Sequence, residues 1–173
     1  MKNKPLADYV RNIPDFPKKG ILFRDITTLL KEKKALKQAI DEITKKYKDK
    51  KIEAVVAVES RGFILGSVIA YKLGAGFIPV RKKGKLPAKT NSVTYDLEYG
   101  TDTLEIHHDA IKENEKVLIV DDLLATGGTV KAVTELVKQL KGKIIGIAFL
   151  IELSALRGKD KLKDYPVFSL IKY

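Results

Sequence analysis

Residues 117 to 129 read V-L-I-V-D-D-L-L-A-T-G-G-T: four apolar β-formers, two adjacent aspartates, then a small Gly/Thr turn. The length and Val/Ile content of the apolar run predict a buried strand over Val117 to Asp121. Just beyond the turn, Val130, Val133, Leu136, Val137 and Leu140 recur at helical spacing and predict a helix from Val130 to Lys141. The turn is thereby placed at the carboxyl end of a strand and the amino end of a helix. Unpaired backbone N–H groups and the helix dipole favour a phosphate there, and Gly127 and Gly128 let the backbone close around it without a Cβ in the way. Asp121 and Asp122 would repel a bare phosphate. They become useful if the same ligand also offers hydroxyl donors, as the cis-diol of a ribose does, so ribose 5-phosphate satisfies both halves of the segment. The dinucleotide pattern G-x-G-x-x-G and the P-loop pattern G-x-x-x-x-G-K-[ST] are both missing here.

The flanking sequence alternates apolar runs with amphipathic stretches. Ala35, Leu36, Ala39, Ile40, Ile43 and Tyr47 predict a helix from about Lys34 to Lys48. Strands are expected at Ala54 to Val58, Phe77 to Arg81, Ile144 to Glu152 and Val167 to Ile171, with a helix from Gly62 to Leu73. Strands joined through helices imply right-handed crossovers and a mostly parallel sheet with helices on its faces, an α/β fold. In such sheets ligands lie beyond the carboxyl ends of the strands, which brings together Glu59 to Gly62, Arg81 to Lys85 and the aspartates. The irregular insert from Lys82 to about Asp109 shows hairpin alternation (Ser92 to Asp96, Thr103 to His107) around Tyr99 and Gly100 and is expected to act as a lid.

At 173 residues the chain is expected to be one domain burying roughly 70% of its unfolded surface. It has no cysteine, hence no disulfide framework, thiolate metal site or cysteine nucleophile. The start M-K-N-K-P-L-A-D-Y-V has no apolar core and is not expected to be a secretory signal, and the longest apolar stretch, Ile144 to Ile151, is too short to span a bilayer. A soluble cytoplasmic protein with no membrane partner is expected. The net charge of +11 comes mostly from dispersed lysines, as in T-K-K-Y-K-D-K-K at 44 to 51 and G-K-D-K-L-K-D at 158 to 164, which read as solvated faces. No nucleic-acid-binding motif accompanies them, so no nucleic-acid partner is expected, while the positive field suits a polyanionic small molecule. His107 and His108, neighbours on an extended segment, point to opposite faces and read as exposed loop histidines rather than metal ligands.

Several segments together carry a resemblance: I-P-D-F-P at 13 to 17 with G-I-L-F-R-D-I-T at 20 to 27, E-S-R-G-F at 59 to 63, R-K-K-G-K-L-P at 81 to 87, Y-D-L-E-Y-G at 95 to 100 and V-D-D-L-L-A-T-G-G-T at 120 to 129. In this order they resemble the type I phosphoribosyltransferase family, and within it the branch acting on adenine. The resemblance covers nearly the whole chain. It implies the type I phosphoribosyltransferase fold as a single domain over 1–173, with a base-binding hood segment at 1–30 and a lid insert at 82–109. It implies transfer of the 5-phosphoribosyl group of phosphoribosyl diphosphate to adenine, giving AMP and pyrophosphate, with Mg²⁺ held mainly by substrate and water. A homodimer is implied as well.

The same resemblance distributes the work. Ala125, Thr126, Gly127, Gly128 and Thr129 would grip the 5-phosphate. Asp121 and Asp122 would accept from the ribose hydroxyls and set negative charge beneath the cationic ring. Ser60 and Arg61 would meet the diphosphate, as would Arg81 and Lys85, with a subunit interface as one route. Phe23 would stack on the base while the backbone of Leu22 and Arg24 reads its edge. Glu98 is the candidate acid and Tyr99 would cover the site. The family often holds the peptide before the matching serine in the cis form. Two alternatives stay open: a transferase for hypoxanthine, guanine or xanthine, which should lack the front segment, and a regulator that senses phosphoribosyl diphosphate and binds DNA, which would need an added DNA-binding module.

Overall fold

The computed structural model describes residues 4–96 and 100–173. The chain divides into two compact units, Met1–Glu42 and Ile43–Tyr173, with the division inside one helix.

The first unit opens on a short 3₁₀ turn at Leu6–Tyr9, followed by a two-stranded antiparallel ribbon of β1 (Arg11–Pro14) and β2 (Leu22–Asp25). Short helix α1 (Thr27–Lys31) and the long amphipathic helix α2 (Lys33–Tyr47) follow. Asp25 holds the ribbon to α1. Its carboxylate accepts from the Thr27 backbone N–H at 2.9 Å, the Thr27 hydroxyl at 2.9 Å and Arg11 Nε at 2.9 Å. The Thr27 backbone donor, with Arg11 beside it, holds the Asp25 carboxyl down at about 2.

The second unit is a seven-stranded sheet flanked by helices. In chain order it contains β3 (Ala54–Val58), α3 (Arg61–Leu73), β4 (Gly76–Lys82), β5 (Thr90–Asp96), β6 (Thr101–His107), β7 (Lys116–Leu124), α4 (Gly128–Gln139), β8 (Lys143–Glu152) and β9 (Val167–Lys172). The strand order is β5-β6-β4-β3-β7-β8-β9. The pairings β4/β3, β3/β7, β7/β8 and β8/β9 are parallel, while β6 pairs antiparallel with both β4 and β5. All five residues of β3 are buried, as a central parallel strand requires. Alternation assigns its two faces. Ala54, Val56 and Val58 join Ile78, Val80, Ile119, Val133, Leu136 and Val137 in a core that includes α4. Val55 and Ala57 face the other way, toward α3, whose Gly66 stands so close that a Cβ there would sit 2.7 Å from that of Ala57.

The expected helices and strands appear with small shifts at their ends, and four differences bear on the argument. The strand expected over Val117 to Asp121 continues to Leu124, because the ten-residue β8 offers Ile151 and Glu152 as partners to Leu123 and Leu124. The β8–β9 crossover contains only 3₁₀ segments, Ser154–Leu156 and Gly158–Leu162, where a helix is the usual connection. The lysine-rich stretch 158–164 is not simply a solvated face. Its charged side chains point outward, but Gly158 and Leu162 are buried. Likewise Thr44 and Tyr47 are buried inside the stretch 44–51. The Tyr47 hydroxyl approaches the Ile147 carbonyl at 3.4 Å, and burial pushes it up to about 12. Gly146 makes room for that ring, since a Cβ would lie 2.8 Å from Tyr47 Cε1. Much of the insert 82–109 is the β5/β6 ribbon, paired over seven residues. His107 closes β6 half-buried instead of lying in an exposed loop, whereas His108 is exposed.

Candidate active site

Side chains and backbone from two strand ends of the second unit, those of β3 and β7, surround one cavity of about 410 Å³, where the sequence led us to expect three. Its lining contains Glu59, Ser60 and Arg61 after β3, Asp121 and Asp122 on β7, and the unbroken run Ala125 to Val130 at the entry to α4. Nine of the expected positions, Ser60, Arg61, Asp121, Asp122 and Ala125 to Thr129, are thus gathered into one place.

The corner between β7 and α4 explains why these residue types are needed. Gly127 caps α4 with φ +79, a left-handed conformation that favours glycine, and α4 begins at Gly128. Helical bonds begin with the Lys131 N–H donating to the Gly127 carbonyl at 3.0 Å. The amides before it are the orphan donors of a helix start, turned toward the cavity end. Gly128 lies beneath the ribbon: a Cβ would meet the Asp96 carbonyl at 3.5 Å and the Tyr95 ring at 3.7 Å. Thr129 Oγ1 approaches the Tyr95 hydroxyl at 3.4 Å.

On the opposite wall, Ser60 caps α3, and the peptide between Glu59 and Ser60 is cis. Arg61, the first residue of α3, places Nε 2.8 Å from Asp122 Oδ2. Gly62 lets α3 start directly over β7, for a Cβ there would fall 2.8 Å from Asp121 Oδ1. That same oxygen accepts the Asp122 backbone N–H at 2.9 Å. The two acids therefore share a crowded floor. Burial, with the charge of Asp122 beside it, pushes the Asp121 carboxyl well above the usual carboxylate range. Burial also raises Asp122, against the pull of the Arg61 guanidinium. A site that holds two carboxylates under this strain favours a ligand carrying donors or positive charge.

Arg81 and Lys85 are not among the cavity-lining residues. Arg81 Nη2 and Nε each lie 2.8 Å from Glu59 Oε2, and Arg81 Nη1 donates to the Lys85 carbonyl at 3.1 Å. Glu59 also accepts the Lys82 backbone N–H at 2.7 Å. Burial works to raise Glu59, but the Lys82 amide and Arg81 outweigh it and hold the carboxyl below its ordinary value. Glu59 thus holds the guanidinium on one edge of the cavity, a role that E-S-R-G-F alone does not reveal.

Leu22, Phe23 and Arg24 lie on β2 of the first unit, with Leu22 exposed and the other two half-buried. Phe23 meets Phe16 edge to face, centroids 5.1 Å apart, and Arg24 Nη1 donates to Asn12 Oδ1. Glu98 and Tyr99 lie outside the described residues. Among the described residues no group of three or more His, Cys, Asp or Glu side chains could hold a metal ion. No helix of the described residues is long and apolar enough to cross a membrane.

Comparison with known proteins agrees with this geometry. The phosphoribosyl transferase domain family matches residues 26–173. An adenine phosphoribosyltransferase of Brachyspira hyodysenteriae is 60% identical over 168 residues, 97% of this chain and 99% of that one. This chain belongs to the adenine phosphoribosyltransferase family. The crystal structure of the adenine phosphoribosyltransferase from Thermoanaerobacter pseudethanolicus superposes with a TM-score of 0.94 at 53% identity, covering 97% of this chain and 98% of that one. The Saccharomyces cerevisiae member of the family, solved with an iminoaltritol bisphosphate and adenine, gives a TM-score of 0.90 at 41% identity over 95% and 96% of the two chains. Membership of the adenine phosphoribosyltransferase family accounts for the mostly parallel sheet and for the acidic strand leading into a Gly/Thr corner.

Proposed function

We propose that this chain is a purine salvage enzyme that transfers the 5-phosphoribosyl group of phosphoribosyl diphosphate to adenine, releasing pyrophosphate and forming AMP. The observation that carries this reading is the single cavity that joins Asp121 and Asp122 to the bare amides of the α4 start. One end suits an anionic tail and the other suits a diol. The bond from the anomeric carbon to diphosphate breaks as the adenine nitrogen closes on that carbon, and positive charge grows on the sugar between the two.

Each group then has a task. The amides of Ala125, Thr126, Gly127, Gly128 and Thr129, with the threonine hydroxyls, hold the 5-phosphate and fix the sugar. Asp121 and Asp122 accept from the ribose hydroxyls and stabilise the cationic ring. Ser60 and Arg61 receive the departing diphosphate, assisted by Arg81 and Lys85. Phe23 stacks on adenine while the backbone of Leu22 and Arg24 reads its edge. Glu98 donates to the imidazole nitrogen of the purine, and Tyr99 with the rest of the 82–109 insert excludes water. The chain acts as one catalytic domain over 1–173, with 1–30 serving as the hood over the base.

The donor set fits Mg²⁺. The two carboxylates are few and crowded, which suits an ion that keeps its waters and takes most of its ligands from substrate oxygens. When bound, Mg²⁺ neutralises the diphosphate and eases its departure. The working unit is a homodimer in the cytoplasm. Support for the dimer comes from α3, whose Ile64, Val68 and Tyr71 form an apolar stripe exposed by 46%, 40% and 86%.

Conversion of radiolabelled adenine to AMP with phosphoribosyl diphosphate and Mg²⁺, run beside hypoxanthine, guanine and xanthine, tests the reading. Adenine should be consumed well ahead of the others. Preference for another base would replace adenine in the proposal, and no turnover of any base would end it.

A further inference from the structure

The corner that presents the bare amides is closed from behind by the β8–β9 crossover. A Cβ on Gly158 would lie 2.2 Å from the Ala125 carbonyl oxygen, 2.9 Å from the Gly127 nitrogen and 3.0 Å from Leu124 Cδ1. A Cβ on Gly127 would lie 2.4 Å from the Gly158 carbonyl oxygen. Two glycine backbones are therefore in direct contact, with no side chain between them. Gly158 is not in a left-handed conformation, so the reason for glycine there is the approach itself.

The crossover is fixed in its own right. The Leu153 N–H donates to the Leu124 carbonyl at 2.9 Å, tying the start of the crossover to the end of β7. Leu162, 1% exposed, anchors its far end in the core that includes α4. Between them Arg157 adopts φ +53, with its Nε 2.8 Å from Asp160 Oδ2. A segment held at both ends and pressed against a turn sets where that turn can stand.

We propose that Gly158 is a positioning residue for the 5-phosphate: its backbone is the wall that holds Ala125 to Gly127 so that their amides converge on one anion. The inference rests on the proposed reading of the corner as the 5-phosphate site and extends it to a residue that lines no part of the cavity. Ordinary van der Waals contact begins at 3.4 Å, so a methyl group on Gly158 moves the Ala125 carbonyl or the crossover by about 1.2 Å. A displacement of about 1 Å at a substrate-positioning group is enough to lower reaction rates on the order of a hundredfold. The Gly158 change acts on donor binding before it acts on the base.

The test compares Gly158→Ala with Gly142→Ala. The second change also places a Cβ inside contact distance, though less severely, 2.8 Å from Val137 Cγ1 and 2.9 Å from Ile111 Cγ2, at a place that lines no part of the cavity. Both variants should lose thermal stability. Gly158→Ala alone should raise KM for phosphoribosyl diphosphate by about tenfold or more and weaken ribose 5-phosphate binding to the same degree, leaving KM for adenine within roughly twofold. An unchanged KM for the donor, an equal rise in both substrates' KM values, or the same donor effect in Gly142→Ala would overturn the proposal. If Gly158→Ala does not fold, hydrogen exchange on the wild-type protein decides. Ribose 5-phosphate should slow exchange at residues 157–160 along with 125–129, and protection confined to 125–129 counts against the wall. Wild-type protein that neither uses adenine nor binds ribose 5-phosphate would instead remove the proposed function on which the inference stands.

Discussion

Asp121→Asn should stabilise the folded protein and cripple the reaction at once. The substitution is close to isosteric, and the asparagine Oδ1 can still accept the Asp122 N–H that now lies 2.9 Å from the carboxylate. What it removes is charge. Burial and the neighbouring Asp122 push the Asp121 carboxyl well above its ordinary value, so folding favours its neutral form. A raised carboxyl contributes stability below its unfolded pKa and loses that contribution as pH rises through the folded one. Above the ordinary carboxylate range Asp121 therefore stands as a cost to the empty enzyme. Relieving such a site is worth about 0.5–2 kcal/mol, and at roughly 2–4 °C per kcal/mol for a chain of this size the variant should melt about 1–8 °C higher. The same charge is what the proposed reaction asks of Asp121 beneath the cationic ribose. Losing one preorganised electrostatic group costs about 2.7–4 kcal/mol of barrier, on the order of a hundred- to thousandfold in turnover. Thermal melts of ligand-free protein from pH 5 to 8, with turnover at saturating substrates, read both effects. The stability gain should shrink toward acid pH, where wild-type Asp121 takes up its proton. A variant that melts lower at every pH, or one that turns over at the wild-type rate, would refute the reasoning.

Asp122→Asn should also slow turnover, and because it removes the carboxylate charge 2.8 Å from Arg61 Nε, it should raise KM for phosphoribosyl diphosphate too, measurable by varying each substrate in turn. Phe23→Ala should raise KM for adenine more than KM for the donor, and an equal effect on both would remove Phe23 from the base pocket. In the first unit Asp25 is held down at about 2, so its contribution is full above the ordinary carboxylate pKa and is lost as pH falls through 2. Asp25→Asn should flatten the acid limb of unfolding followed by circular dichroism between pH 4 and 2. Glu98→Gln should lower turnover and remove one limb of its pH profile, and an unchanged profile would exclude Glu98 as the proton donor.

The sheet was legible because buried parallel strands announce themselves as short apolar runs. Ala54 to Val58 is bounded in the structure as the sequence reads. The ends were less legible. Asp121 and Asp122 look like a strand terminus because they are charged, yet pairing with β8 carries β7 on through Leu124. Likewise α4 starts two residues before its first apolar position, since the glycines that open it carry no periodic signal. Within the site, the cavity gathered the residues whose types are chemically demanding. It did not announce the Arg61–Asp122 pair or the hold of Glu59 on Arg81, since ion pairing between separate strand ends depends on tertiary placement. Gly158 was hidden for another reason. It sits among lysines that do face water, and a backbone-to-backbone contact leaves no mark in side-chain pattern.

The ribbon of β5 and β6 is in register over seven pairs, from Thr90↔His107 to Asp96↔Thr101. At its root, β6 is joined to β4 by just two registered pairs, Arg81↔Glu105 and Lys82↔Leu104. Any movement of the ribbon as a body would therefore load that narrow seam, next to the arginine that Glu59 retains, so that shifting the ribbon and freeing Arg81 would be one mechanical event.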